Sequence, residues 1–250
     1  GKRKRGTEAD MNTKIIGTGS AVPSRVLDNA ELSTFLDTSD EWIASRTGIR
    51  NRRIATKESG ADMAAAAARE ALRDAGMDGS EIDLILVATC SSDFQFPSTA
   101  CLVQKAINAT KAAAFDLSAA CSGFLFALHT AHAYICAGIY KNVLLVGVEV
   151  LSKLIDWKDR STCVLFGDGA GAAVVTAADH GLEGFVQWSD GADGEVLTCP
   201  GRAMGNPWKE NASETGYIQM SGQEVFRFAV KKVPECIRQV TEKTGTKLET

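Results

Sequence analysis

The chain has 250 residues, 45% hydrophobic and 23% charged, with 31 acidic against 27 basic side chains and a formal net charge of −4. These are ordinary globular proportions and exclude a disordered, collagen-like or coiled-coil chain. The negative balance disfavours nucleic acid and anionic membrane as partners, and no run approaches the roughly 18 uncharged apolar residues of a membrane-spanning helix.

The seven cysteines stand at 90, 101, 121, 136, 163, 199 and 236. There is no Cys-x-x-Cys and no Cys/His cluster, so no metal or redox pair is expected. An odd count in a chain of this size reads as reduced and cytoplasmic. One cysteine is then special and six are small core residues.

Residues 1–10 open with Gly1-Lys2-Arg3-Lys4-Arg5 and no apolar segment follows. They read as a tag or disordered tail ahead of a start at Met11, with a nuclear signal as the alternative. Lys14 to Gly19 reads as a first strand closing in a glycine turn. Gly17-x-Gly19 has Val22 where a dinucleotide motif has its third glycine, and Pro23 where a helix should run, so no nucleotide site is expected there. Thr38 with Glu41 is a capping box opening a short helix that Gly48 stops. Ser59 to Ala75 is an alanine-rich helix ending at Gly76. Leu84 to Thr89 is a buried strand, Ser98 to Ile107 a helix, and Ala112 to Leu117 a strand.

Residues 121–137 form a helix apolar all round, which predicts burial on all sides. Val143–Val148, Cys163–Phe166 and Ala172–Thr176 read as further strands. Continuous apolar strands alternating with helices predict a parallel-rich sheet covered on both faces. Residues 182–220 carry weak strand signals. Ser221 to Thr244 is a helix with Ser221 and Glu224 as a capping box, Val225, Ala229, Val233, Ile237 and Val240 as its apolar stripe, and a kink at Pro234. The domain division expected is a first unit over 11–180 and a second begun at 181–250.

The informative segment is Asp116-Leu117-Ser118-Ala119-Ala120-Cys121-Ser122-Gly123-Phe124. A strand ends, small residues turn the chain, and Cys121 stands at a helix entrance, where free amides and the helix dipole favour thiolate. Two readings stand on the residues alone: a nucleophile, or an inert buried cysteine at a strand–helix join. Trp42 and Arg46, four apart on one helix, face the same side and can hold a flat ring between them; the alternative is a surface arginine beside a half-buried tryptophan.

Three stretches carry a resemblance: Ala119-Ala120-Cys121-Ser122-Gly123-Phe124, Phe166-Gly167-Asp168-Gly169-Ala170-Gly171-Ala172, and Thr38-Ser39-Asp40-Glu41-Trp42-Ile43 with Arg46-Thr47-Gly48-Ile49. In this order they resemble β-ketoacyl-acyl carrier protein synthase III, the initiating condensing enzyme of dissociated fatty acid synthesis, in the thiolase superfamily. The resemblance runs from Met11 to the end. It implies an α/β fold of two similar halves layered α-β-α-β-α, the first complete here and the second only begun. It also implies a homodimer formed through the first half's sheet.

The activity implied is that of an acyltransferase. Cys121 takes a short acyl group, usually acetyl, from coenzyme A, which is a substrate and not a prosthetic group. The acyl enzyme then condenses with malonyl-acyl carrier protein. Thr38, Trp42, Arg46 and Arg160 are implied at the coenzyme A adenine. Leu165, Phe166, Leu197, Met220, Gly222 and Phe226 are implied in the acyl pocket, with Phe96 reaching into the partner's; each is equally explicable as core. Arg227, Lys231 and Lys232 form a basic patch suited to an acidic carrier protein, or a solvated face.

The family also uses a His in a His-Gln-Ala-Asn motif, an Asn, and a late glycine-rich loop that completes the oxyanion hole. The histidines here are His129, His132 and His180. The first two lie ~12 and ~16 Å along Cys121's own helix, beyond its reach, and read as core packing or a polar network. The expectation is therefore part of a longer protein or a natural truncation. Alternatives are a non-condensing subunit that dimerises or holds a carrier, and a related polyketide- or quinolone-priming synthase.

Overall fold

A computed structural model describes residues 11–201, 208 and 216–248. The expected tail, residues 1–10, lies outside the described residues. In chain order the main elements are β1 (Asn12–Ala21), β2 (Arg25–Asp28), α1 (Asn29–Leu32), α2 (Asp40–Thr47), β3 (Asn51–Ile54), α3 (Gly60–Ala75), β4 (Leu84–Ala88), α4 (Thr99–Ala106), β5 (Ala113–Leu117), α5 (Gly123–Cys136), β6 (Asn142–Val150), α6 (Arg160–Cys163), β7 (Asp168–Ala178), β8 (Leu197–Thr198), β9 (Gln219–Met220) and α7 (Gly222–Thr244). They make two compact units. One holds the described residues up to Ser24, Ala55–Val150 and Asp168–Phe185; the other holds Arg25–Ile54, Leu151–Gly167 and the described residues from Val186 on.

The first unit is built on a five-stranded sheet ordered β1-β7-β6-β4-β5. β4 is parallel to β5 and β6, while β7 is antiparallel to β6 and β1. The sheet is thus mixed, parallel only across β5-β4-β6. A parallel return after β6 needs a crossover laid on the sheet, and the segment after β6, Leu151–Gly167, belongs instead to the second unit. All five residues of β4 are buried, as their unbroken apolar run requires.

α3 is fixed at both ends by its own sequence. Ser59 and Asp62 form a reciprocal capping box, and Gly76 closes the helix in the left-handed region at φ 65°. Its buried face includes Ala64, Ala67, Ala68 and Ala71. Small side chains let the helix lie close on β1. A Cβ at Gly17 would stand 2.4 Å from the Ala71 carbonyl oxygen, and one at Gly19 2.3 Å from that of Ala67. The expected glycine turn is therefore absent. β1 continues through both glycines to Ala21, and the glycines are there because the helix backbone leaves no room for a Cβ.

α3 also covers the free side of β1. The Thr18 amide donates to Asp74 Oδ2 at 2.8 Å and the Ser20 amide to Glu70 Oε2 at 2.6 Å. β5, at the opposite end of the sheet, has exposed Ala113 and Phe115. Glu58 accepts from the Ser24 amide and hydroxyl, both at 3.1 Å, and from the Thr56 and Lys57 amides.

Other expectations change. α5 starts at Gly123 and is buried along one face through Gly123, Ala127, Ala131 and Ile135; on the opposite side His129 is buried while Leu125 is 56% exposed. An all-apolar composition left no polar face to reveal which side turns outward. Cys163–Phe166 is not a strand: α6 ends at Cys163 and a loop follows, β7 beginning at Asp168. Cys163 alone of the seven cysteines is fully buried, with Cys236 intermediate.

The second unit packs Leu27, Leu32, Ile43, Ile155, Cys163, Val164 and Ile218 together, with Trp42, Leu165 and Phe166 against them. β2 and β3 pair antiparallel. Arg52 is buried there, donating to Asn29 Oδ1 at 2.8 Å and the Val164 carbonyl at 3.1 Å; burial lowers its pKa. The cap of α2 is Ser39, one residue later than expected, because its hydroxyl accepts from the Trp42 amide at 3.1 Å. α7 runs through Pro234, Ser221 makes no side-chain cap hydrogen bond, and no α7 residue is buried.

Two outcomes test this packing. Gly19→Ala should cost at least about 1–3 kcal/mol in urea unfolding, the usual penalty of overpacking. Gly171→Ala, where no atom lies within 4 Å of the added Cβ, should be far milder. Glu58 has its pKa lowered to about 2, foremost by the Ser24 amide and then by backbone amides at 56–58. A depressed folded-state pKa gives stability that is present above the unfolded value near 4.5 and lost as pH falls through about 2. Carboxyl NMR titration should find Glu58 still charged at pH 3, and Glu58→Gln should flatten the acid limb of the stability curve.

Candidate active site

The Cys121 turn belongs to the first unit. Ala88 of β4 stands beside Leu117 of β5 and Gly147 of β6. The three parallel strands therefore present their carboxyl ends on one edge, where α/β sheets place ligands. β5 leads through Ser118 and Ala119 into a 3-10 turn, Ala120–Ser122, and then into α5. Ala120 has φ 45°, in the left-handed region, a cost of order 1 kcal/mol that is common where a turn aims a functional residue. Cys121 is exposed in that turn, just ahead of α5 and not within its first helical turn.

Two features shape the start of α5 beside Cys121. A Cβ at Gly123 would lie 3.1 Å from the Ala88 Cβ, so glycine lets α5 begin close against β4. Ser122, the N-cap, makes no side-chain cap hydrogen bond. The Gly123 amide donates instead to the Ala120 carbonyl, and the start of α5 carries the positive end of the helix dipole.

Sequence reasoning did not name the hollow of about 280 Å³ at the same strand ends, lined by Thr89, Cys90, Ser92, Phe94, Gln95, Asp116, Leu117 and Ser118. Its walls are tied down by carboxylates. Glu149 accepts from the Cys90 amide at 2.9 Å and from the Ser91 hydroxyl. Asp116 accepts from the Thr99 and Ala100 amides at 2.8 and 2.7 Å, which anchors the start of α4. Their position at carboxyl ends of parallel strands was the available signal. Phe96, just before α4, is 85% exposed. His129 is buried against Phe185, ring centroids 4.0 Å apart, and His132 Nδ1 is 2.9 Å from Thr13 Oγ1. Burial lowers the His132 pKa.

The second unit holds the other constellation. Arg46 Cζ lies 4.8 Å and Arg160 Cζ 5.2 Å from the Trp42 ring centroid. Arg160 Nη1 donates to the Asp37 carbonyl at 2.6 Å. Arg46 has no hydrogen-bond or ion-pair partner among the described residues. Thr38 Oγ1 is buried without a hydrogen-bond partner. A π face, two guanidiniums and an unsatisfied hydroxyl make a surface for a planar ring carrying negative charge.

The remaining residues expected in sites also lie in this unit. Leu165 and Phe166 are half-buried on its core. Leu197 pairs with Met220 across β8–β9, and a Cβ at Gly222 would be 3.8 Å from Met220 Cε; Phe226 is exposed. Arg227 pairs with Glu224 at 2.7 Å. Lys232 is 3.3 Å from Glu235 and 4.1 Å from the Trp188 centroid. Lys231 is exposed.

Residues 115–194 match the family model of 3-oxoacyl-[acyl-carrier-protein (ACP)] synthase III. The chain is 49% identical over 242 residues to the β-ketoacyl-[acyl-carrier-protein] synthase III of Clostridium acetobutylicum, covering 96% of this chain and 74% of that protein. It is 48% identical over 241 residues to the enzyme of that name from Aquifex aeolicus, covering 96% and 74%. The crystal structure of the synthase III from Aquifex aeolicus VF5 superposes with a TM-score of 0.87 over 95% of this chain and 73% of that one. A priming β-ketosynthase from the R1128 polyketide biosynthetic pathway superposes at 0.84, with 38% identity over 94% and 70%. The fold is thus the thiolase-like α/β fold. Near-half identity sustained over almost every residue is more than a shared fold demands, and the chain belongs to the β-ketoacyl-[acyl-carrier-protein] synthase III family.

Proposed function

We propose that the chain is a condensing acyltransferase that starts fatty acid synthesis from a short acyl-coenzyme A. The observation that carries this is Cys121, exposed in a strained turn at the mouth of a helix whose N-cap, Ser122, makes no side-chain cap hydrogen bond. Cys121 Sγ attacks the thioester carbonyl of acyl-coenzyme A. The carbon–sulfur bond to coenzyme A breaks, free coenzyme A leaves with the proton, and an acyl-Cys121 thioester remains. The Cys121 amide and the start of α5 face the developing oxyanion. Malonyl-acyl carrier protein then loses carbon dioxide, its α-carbon takes the acyl group, and the Cys121 thiol is restored.

Trp42 and Arg46, with Thr38 and Arg160, bind the adenine end of coenzyme A, which is substrate and not prosthetic group. Leu165, Phe166, Leu197, Met220, Gly222 and Phe226 line the acyl path. Arg227, Lys231 and Lys232 receive the acidic carrier protein; Arg227 and Lys232 contribute less than Lys231, since Glu224 already holds the one and Glu235 and Trp188 the other. Residues 11–180 are the nucleophile-bearing half of the thiolase-like fold and 181–250 the opening of the second. The reading as cytoplasmic draws on seven free thiols. Among the described residues no helix is long and apolar enough to cross a membrane.

A second reading, priming of a polyketide pathway, is favoured by the likeness to the R1128 synthase, but at 38% identity against 48–49%.

Incubation with acetyl-coenzyme A should add one acetyl mass at Cys121, seen by intact-mass and peptide mass spectrometry. Cys121→Ser should abolish the adduct, and Trp42→Ala should slow acetylation at low donor concentration while leaving the thiol reactive to iodoacetamide. Acetylation of Cys121→Ser at the wild-type level would refute the assignment. We also propose a homodimer through β5, the sheet edge without α3's carboxylates, with Phe96 crossing to the partner. Sedimentation at micromolar concentration should give twice the chain mass, and a monomer there would count against it.

A further inference from the structure

We propose that Asp37 is a positioning residue of the donor site, holding the Arg160 guanidinium against the Trp42 indole. The inference rests on reading that site as the one for coenzyme A. Arg160 is the first residue of the four-residue helix α6. Its neighbour Asp159 does not orient it, because that carboxylate is committed to the Ser161 amide at 2.9 Å and to the Ser161 and Thr162 hydroxyls, both at 2.7 Å. A free arginine side chain explores many rotamers, and fixing it has an entropic cost. What fixes this one is residue 37, through a main-chain hydrogen bond and a fully exposed carboxylate that adds an ion pair. Its carbonyl accepts from Arg160 Nη1 at 2.6 Å, and its Oδ2 lies 3.7 Å from the same nitrogen.

The two cations on the indole are therefore unlike. Arg46 is placed by its own helix, four residues after Trp42, and apart from the Trp42 ring has no hydrogen-bond or ion-pair partner among the described residues. Its charge is free to follow a phosphate. Arg160 is tethered, and the tether immediately precedes Thr38, whose buried hydroxyl is unsatisfied. A flat ring between indole and guanidinium needs about 7 Å, two contacts of roughly 3.5 Å. Arg160 Cζ stands 5.2 Å from the centroid. It must move outward by roughly 2 Å as the ring enters. An ion pair is less directional than the carbonyl hydrogen bond, so the Asp37 carboxylate keeps its hold on Arg160 through that shift.

The test is equilibrium binding of coenzyme A, and of pantetheine, which lacks the nucleotide, to the wild-type chain and to Asp37→Ala, Asp37→Asn, Arg160→Ala and Asp37→Ala/Arg160→Ala. Asp37→Ala should weaken coenzyme A binding about two- to fivefold, the range of a solvent-exposed ion pair. Pantetheine binding should not change, and Asp37→Asn should recover part of the loss. In the Arg160→Ala background, Asp37→Ala should have no further effect, since its partner is gone. Unchanged or tighter coenzyme A binding by Asp37→Ala overturns the proposal, as does an equal loss in the Arg160→Ala background. Trp42→Ala separates the two levels. If it leaves coenzyme A binding intact, the donor-site reading and this inference fall together; if it weakens binding while Asp37→Ala does not, only the inference falls.

Discussion

The burial of β4 is the constraint on which the first unit depends. Five apolar residues with no exposed face can be satisfied only by strands on both edges and helices on both sides. β5 and β6 supply the edges, both parallel to β4, and α4 and α5 supply cover. Parallel neighbours end at one level, and the loop leaving β5 there is the one that carries Cys121. The place of Cys121 is thus a by-product of hiding Leu84 to Ala88 from water. The surrounding loops are then pinned by carboxylates accepting backbone amides, Glu149 at Cys90 and Asp116 at α4.

The second unit works on a different principle. Its Trp42 site is assembled on the rim of a modest core, by a capped helix and an arginine from a distant segment. Ser39 fixes where α2 begins, and the helical period then sets Arg46 over the indole. Such a site adapts by side-chain movement, whereas the Cys121 turn is held by main-chain geometry. That contrast suits a mobile, charged nucleotide at one and a bond-forming thiol at the other.

Legibility from sequence followed the same line. α3 could be read almost to the residue because Ser59, Asp62 and Gly76 are local signals, and Ser98 did the same for α4. Cys121 and the Trp42–Arg46 pair were legible because each is encoded within a few residues. Gly17 and Gly19 misled, since glycine serves a turn and a close helix–strand contact equally well, and only the position of α3 decides between them. Cys163–Phe166 was too short an apolar run to separate strand from helix end. Asp37 was invisible as a partner of Arg160 because 123 residues separate them. The interleaving of the two units along the chain likewise follows from contacts that no contiguous window contains.

The unequal edges of the five-stranded sheet carry a consequence for assembly. Exposed strands are templates for unlimited edge-to-edge growth. Here the amides of Thr18 and Ser20 are already saturated by Asp74 and Glu70, so of the two edges of this sheet β5 is the more open. Two open edges that meet about a twofold axis use each other up, and the result has no free end from which a third copy could propagate. In the homodimer proposed above, two carboxylates on α3 would thereby set the difference between a closed pair and a polymer.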